Sequence, residues 1–500
     1  MKRPGNFSKE GLNSNAYLSK IRTFIPRKLV FEDPNRAIFS PYRFQDPYSL
    51  AGVREDGIIR NFPILFRGNG QPWDIGNLYL MSKMAEAAKF DQVSVETLET
   101  HAVHLLGFLR WLEDNNARGN EIDEYTFPDE PHHRVTYAYR RYLMRQLRKT
   151  PQPISLNVAS TRMGVVVSFY RELFNSGLVE ASKFPNTPFE SRVTGIHFID
   201  PKGLSRIKEV QTTDLSIHAP RRDLLADPDH LNDGEKLRPL DLDEQKIIAD
   251  KISNYGNYCF ELMVLFAVET GARKQTVCTL RIYHLKQCLK SQKGHELRLR
   301  VGAGSEVDIK NKGSLRSYSL HVPRYLAQVL LDYVESQSAK ARRAQSFYGD
   351  SDQNYVFLSE NGTPFYTSKA EIRDREDPSF SSRIAAKDRI DFSPNKGRSL
   401  NNLTKRLIRK IKEDYPDFQS FRFHDLRATY GLNFVRHHEG QGKTRNWCME
   451  QLRFRMGHKH SNTTELYLDF ENASERNDQV TNAYTIWLEK YRRDTGEATE

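Results

Sequence analysis

The sequence predicts a mainly α-helical protein with a small antiparallel β-sheet, in which a helical bundle precedes a larger α+β domain. Three observations lead there. Apolar residues recur at helical spacing, as in Leu98, Ala102, Leu105, Leu109 and Leu112, and again in Val165, Phe169, Leu173 and Phe174. The run from Phe260 to Ala267 is apolar enough for a buried helix, and Gly271 follows to end it. Finally, Glu296 to Val301 and Ser317 to Val322 alternate like strands, with the polar turn Ile309 to Ser314 between them, which reads as a hairpin with lysines at its tip.

Taken in order, residues 1–74 are rich in Pro, Arg, Phe and Tyr with little periodicity, and read either as an accessory arm or as a strap over the next domain. Residues 75–190 carry the helical pattern and should form a four-helix bundle. On its third helix Arg140, Arg141, Arg145, Arg148 and Lys149 cluster, which suits phosphate-backbone contacts or a solvated helix face. Residues 191–237 read as a long linker, with Pro201, Pro220 and Pro228 in polar sequence. A domain over 238–475 opens at Arg238-Pro239-Leu240, where Asp241 and Glu244 have capping-box spacing. Within it, a stretch over about 335–400 is charged, serine-rich and insertion-like. The tail, 476–500, carries an amphipathic stripe of Val480, Ala483, Tyr484, Trp487, Leu488 and Tyr491, which needs a groove on its own domain or on a neighbouring protomer.

Composition narrows the partners. A net charge of +11 and a pI near 9.2 suit a polyanion, and nucleic acid is the economical one. No apolar run reaches the ~20 residues of a membrane span, and the N-terminus lacks the apolar core of a secretory signal, so a cytoplasmic protein is expected. Cysteines 259, 278, 288 and 448 show no metal-binding spacing and need not pair, as in a reducing compartment.

The chemistry-bearing residues lie in the second half. Phe423-His424-Asp425-Leu426-Arg427 is one of several His-x-x-Arg matches, and 15 histidines with 75 Lys and Arg in 500 residues predict about two by chance. The pairs His218/Arg221 and His321/Arg324 enclose prolines, and His295/Arg298 lies in a strand-like stretch. Only His424 and Arg427 fall in a plausible helix, beginning near Asp425 and sending Leu426, Tyr430, Leu432, Phe434 and Val435 to a core. Positions three apart share a helix face, so two donors there suit a phosphate; a capping histidine beside a solvated arginine is the plainer alternative. Arg273 stands in Thr270-Gly271-Ala272-Arg273, where a core helix meets a turn. Lys310 and Lys312 share the hairpin turn. Met456-Gly457-His458 follows, and Tyr467 stands nine residues beyond His458.

In this order, Arg273, Lys312, His424, Arg427, His458 and Tyr467 resemble the catalytic signature of the tyrosine site-specific recombinases, the phage-integrase family. The resemblance covers about 238–470 and, more weakly, the helical segment before it, which is similar to that family's core-binding domain. It implies a catalytic α+β domain over 238–475 and a DNA-binding bundle over 75–190. It also implies an enzyme that recombines double-stranded DNA at specific sites, as an integrase or transposase of a mobile element. Tyr467 would attack the scissile phosphate to give a 3′-phosphotyrosine, with Arg273, Arg427 and His458 as the clamp, Lys312 as general acid and His424 assisting proton transfer. Neither metal nor nucleotide is needed, since the phosphodiester energy is kept in the protein link. Gly440-Gln441-Gly442-Lys443-Thr444 is an incomplete phosphate loop, with His437 where a glycine would stand. The family further implies a homotetramer on DNA, possible accessory proteins and a nucleoid-associated location, with 476–492 as the assembly helix.

Two departures stand out. Thr276 occupies the position, three after the first arginine, where the family usually has an acid. Lys310 competes with Lys312, which fits the hairpin better by its distance to the second strand. Two other functions share much of this pattern: a type IB topoisomerase that relaxes DNA, which usually carries lysine at the place of His424, and a non-cutting DNA-binding regulator, which would not require Tyr467.

Overall fold

Helical spacing in the first half closes into four helices in a computed structural model of the chain: α1 (Asp74–Ala88), α2 (Val95–Ala117), α3 (Val135–Leu147) and α4 (Leu156–Ser176). The structure describes residues 10–25, 28–31, 42–45, 59–88, 95–176, 179, 181–199, 205–217, 231–232, 236–310, 317–377, 380, 392–458, 464–465 and 467. The chain divides into two compact units, Met1–Arg222 and Asp223–Glu500.

In the first unit the stripe from Leu98 to Leu112 is buried, as are Val165, Phe169 and Leu173. Phe174 does not join them and is 50% exposed, because one step past Leu173 turns the side chain about 100° around the helix. Tyr139, Tyr170 and Phe108 pack as edge-to-face rings at the centre, with Trp73 beside Phe108. Within residues 1–74, Leu12, Ala16, Phe24, Ile59 and Trp73 pack into this bundle's core. Strand β1 (Tyr17–Phe24) pairs antiparallel with β4 (Ile59–Phe66), Tyr17 opposite Phe66, while β2 (Lys28–Phe31) pairs with β3 (Tyr42–Gln45). Phe62 and Leu65 of β4 sink into the bundle core. Asn77 locks the join, accepting from the Leu65 N–H (2.8 Å) and donating to the Leu65 carbonyl (3.0 Å). Glu10 reaches Arg162 of α4 and accepts from the Tyr142 hydroxyl.

The stretch read as a linker over 191–237 holds structure of its own. Strands β5 (Ser191–Ile199) and β6 (Ser205–Thr213) form an antiparallel pair, and Leu215 and Ile217 return to the bundle core. Pro201, Pro220 and Pro228 lie outside the described residues.

The second unit opens with the short pair β7 (Leu231–Asn232) and β8 (Lys236–Leu237), then α5 (Leu242–Ser253). Both reciprocal bonds of the Asp241/Glu244 capping box form. The apolar run becomes α6 (Tyr258–Thr270), followed by α7 (Lys274–Cys278), α8 (Ile282–Ser291) and the hairpin of β9 (Glu296–Gly302) with β10 (Ser317–Pro323). Leu297, Leu299 and Val301 alternate inward from β9. Then come α9 (Arg324–Glu335), α10 (Gln337–Ala344), α11 (Lys369–Glu376), α12 (Arg398–Asp414), α13 (Asp425–Gly440) and α14 (Arg445–Met456). The architecture is mainly helical with small antiparallel two-stranded sheets.

The described part of the segment that reads as an insertion over 335–400 contributes to this core. Val356 and Phe357 pack into it, and the Arg281 guanidinium, fully buried, lies 3.9 Å from the Tyr355 ring centre and 4.7 Å from that of Tyr348. It donates to the Gln353 carbonyl (2.8 Å) and the Ser368 hydroxyl (2.7 Å). The apolar run Tyr355-Val356-Phe357-Leu358 was the available signal.

An acid-labile link joins the hairpin to α14. Glu296 accepts from His321 (2.8 Å) and pairs with Arg455. Burial would raise its pKa, but the His321 and Arg455 hydrogen bonds outweigh that and hold it at about 2, against an ordinary 4.5. A depressed carboxylate contributes stability above its unfolded pKa and loses it as pH falls through the folded value. Glu296→Gln is therefore expected to lower stability at neutral pH and to flatten the loss between about pH 4.5 and 2. Denaturant melts at several pH values check this; parallel curves for variant and wild type would refute it.

Among the described residues no helix is long and apolar enough to cross a membrane, and none of the His, Cys, Asp and Glu side chains cluster as a metal site would require. Cys259, Cys278 and Cys448 are buried free thiols, and Cys288 is half-buried.

Candidate active site

Helix α6 stops because Gly271 adopts the left-handed conformation (φ 63°), which directs the chain into α7. The Tyr430 ring of α13 occupies the space a side chain would need: a Cβ on Gly271 would lie 2.4 Å from Tyr430 Cδ1. Gly271→Ala combines a disfavoured backbone with an overpacked contact, and is expected to cost about 2–4 kcal/mol. A chemical melt with a wild-type midpoint would refute that.

Arg273 follows as the N-cap of α7, half-buried. Thr276, at the position of the family's acid, donates its hydroxyl to the Asp308 carbonyl (3.0 Å). The Asp308 carboxylate accepts from the Lys369 N–H (3.0 Å) and from Gln275 (3.3 Å), and burial raises its pKa. Thr276 thus ties α7 to the segment that leaves β9 towards the lysines. Lys310 is exposed there; Lys312 lies outside the described residues.

Helix α13 begins at Asp425, as its sequence predicts, with half-buried His424 as the preceding cap residue. Asp425 is buried and holds the helix start: it accepts from the Arg422 N–H (2.7 Å) and the Arg238 N–H (3.2 Å). The five apolar residues expected in a core are all buried. So is Arg427, at 1% exposure, which excludes the solvated arginine.

What Arg427 does is span three parts of the chain. Its Nη1 donates to the Gly271 carbonyl (2.7 Å), and its Nη2 donates to the Met456 carbonyl (2.8 Å) and to His458 Nε2 (2.9 Å). One guanidinium therefore joins the Gly271-Ala272-Arg273 turn, the His424-x-x-Arg427 helix and the Met456-Gly457-His458 turn. Arg273 is two residues from one anchor and His424 three residues from the arginine itself.

His458 follows the left-handed Gly457 that caps α14, and is 7% exposed. Its Nδ1 lies 3.0 Å from Thr464 Oγ1. The Tyr467 ring stacks on the imidazole, centroids 6.0 Å apart and planes 27° apart. Tyr467 has no exposed surface; it fits against Gly431 of α13, where a Cβ would lie 2.3 Å from Cε1. Around it Ala428, Tyr430, Phe434, Cys448, Leu452 and Met456 form a separate apolar cluster. Thr464 was missed from sequence; the two threonines shortly before Tyr467 were the only signal for it.

In the first unit, Arg141, Arg145, Arg148 and Lys149 are exposed along and just beyond α3. Arg140 differs: it is half-buried and donates Nε to the Leu215 carbonyl (3.2 Å), holding the chain that follows β6. The candidate assembly helix, 476–492, lies outside the described residues.

No protein-family model matches the sequence, and no curated protein matches it. Among solved structures, the chain is similar to a variant of the Tn1549 transposon integrase in complex with a circular intermediate DNA. The identity is 13% over 81% of this chain and 98% of that one, with a TM-score of 0.43. A second variant of that integrase, in complex with transposon right end DNA, matches at 13% identity over 82% of this chain and 99% of that one, TM-score 0.41. The XerA recombinase matches at 14% identity over 81% of this chain and 98% of that one, TM-score 0.29.

Proposed function

We propose that this protein is a tyrosine recombinase of a mobile element, which cuts and rejoins double-stranded DNA at specific sites through a 3′-phosphotyrosine. The observation that carries this reading is the Arg427 guanidinium, which gathers the two other motifs around itself and places His458 against the Tyr467 ring.

The residues divide the work by their chemistry. A phenol with an ordinary pKa near ~10 is a weak nucleophile and must lose its proton as it attacks. Tyr467 Oη forms the bond to phosphorus, the bond from phosphorus to the 5′-oxygen breaks, and the departing oxygen takes a proton, from Lys312 in this scheme. Negative charge on the non-bridging oxygens is met by Arg273 and Arg427, and by His458 once the shift of the Tyr467 segment releases its Nδ1–H, while His424 takes the proton that the Tyr467 hydroxyl loses. Attack by a 5′-hydroxyl of another strand reverses the step and releases Tyr467. Because Tyr467 is fully buried, the segment carrying it must shift before it reaches a phosphate. Arg141, Arg145, Arg148 and Lys149 supply phosphate-backbone contacts, and a homotetramer assembled on DNA brings two duplexes together.

Rapid denaturation of the protein with DNA from the flanks of its own gene, followed by sequencing of covalently attached fragments, tests the reading. Adducts at one sharp sequence support it. Scattered adducts would instead indicate a DNA-relaxing enzyme, and none at all a non-cutting binder.

A further inference from the structure

We propose that Thr464 is a positioning residue, which holds His458 as the neutral Nδ1–H tautomer and registers the Tyr467 segment against the His458 and Arg427 pair. The starting point is the contact between Arg427 Nη2 and His458 Nε2, 2.9 Å long. A guanidinium has only donors and stays charged. Nε2 therefore presents its lone pair, the imidazole is neutral, and its one proton sits on Nδ1. Thr464 Oγ1, 3.0 Å from Nδ1, accepts that proton's hydrogen bond.

Burial gives the bond its weight. His458 is 7% exposed and Thr464 fully buried, so water competes poorly at either end. In a histidine, the partner of one ring nitrogen decides which nitrogen carries the proton. Here that partner stands on the nucleophile's own segment: 464, 465 and 467 have helical backbone, so Thr464 and Tyr467, three apart, share a face. Tyr467 stacks on the same imidazole. One helical turn thus holds the ring by its edge and by its face, and a shift of that turn breaks both contacts together.

The consequence for strand transfer rests on the recombinase reading, whereas the tautomer does not, and the experiment separates them. Full-length protein labelled with nitrogen-15 in its histidine rings is observed by NMR without DNA, the His458 signals being assigned by their loss in His458→Gln. Wild type and Thr464→Ser should show a neutral Nδ1–H ring, and Thr464→Val should lose that single state and titrate at a different pH. Should the valine variant fail to fold, Thr464→Cys, close in size with a weak sulfur acceptor, takes its place. Covalent adduct formation on the trapped duplex is then followed against pH. The valine variant should attach with a displaced pH profile, and serine should restore the wild-type profile. An Nε2–H ring in wild type, or unchanged shifts and profile in Thr464→Val, would overturn the proposal. If wild type attaches to no DNA while the ring behaves as described, the recombinase reading fails and Thr464's hold on the imidazole stands.

Discussion

Tyr467→Phe is expected to abolish covalent attachment to DNA while leaving both the fold and the affinity for DNA in place. The ring is fully buried between Gly431 and His458, and phenylalanine keeps every carbon of it. Losing one hydroxyl costs stability on the order of 1 kcal/mol, too little to unfold the unit. In the proposed reaction the lost oxygen is the atom that joins to phosphorus, so the effect on adducts should be all or none. Trapping and a mobility shift on the same duplex measure the two halves separately. Adducts persisting in the variant would move the nucleophile to another residue; loss of DNA affinity together with adducts would mean that the tyrosine matters for structure instead.

Arg427→Lys is expected to reduce adduct formation by about a hundredfold or more and to destabilise the second unit as well. The guanidinium reaches Gly271, Met456 and His458 at once through two nitrogens. An ammonium is a single point on a flexible stem and cannot span all three. Each buried carbonyl left without its donor costs about 1–3 kcal/mol. The turns bearing Arg273 and His458 would drift apart, so catalysis should fall further than the charge count suggests, since lysine keeps the charge. A chemical melt and the adduct rate, taken together, decide it: near-wild-type values in both would show that the three-way span carries nothing.

Part of the polypeptide's regular structure was legible without coordinates. The capping box at Asp241 and Glu244, the start of α13 at Asp425 and the two strands of the hairpin all appear where their patterns put them. So did the burial of Leu426, Tyr430, Leu432, Phe434 and Val435. Such features depend on neighbours three or four residues away along a helix, or two along a strand, and that information lies in the local sequence. The order of the motifs, and hence the candidate chemistry, was legible for the same reason.

Other properties came only with the tertiary structure. The bond from Arg427 to Gly271 spans 156 positions of chain and that to Met456 spans 29, so no local pattern could tell a clamp from a solvated arginine. Arg140 looks like its neighbours in a basic row until the Leu215 carbonyl is found beside it. The serine-rich stretch read as an insertion proved to enclose Arg281, because a buried cation is recognisable only from the rings and carbonyls around it. Sequence by itself determined some of the elements and named the candidate catalytic residues, through short-range periodicity and spacing; packing alone decided which of those side chains meet, because contacts between distant segments form only when their apolar faces close together.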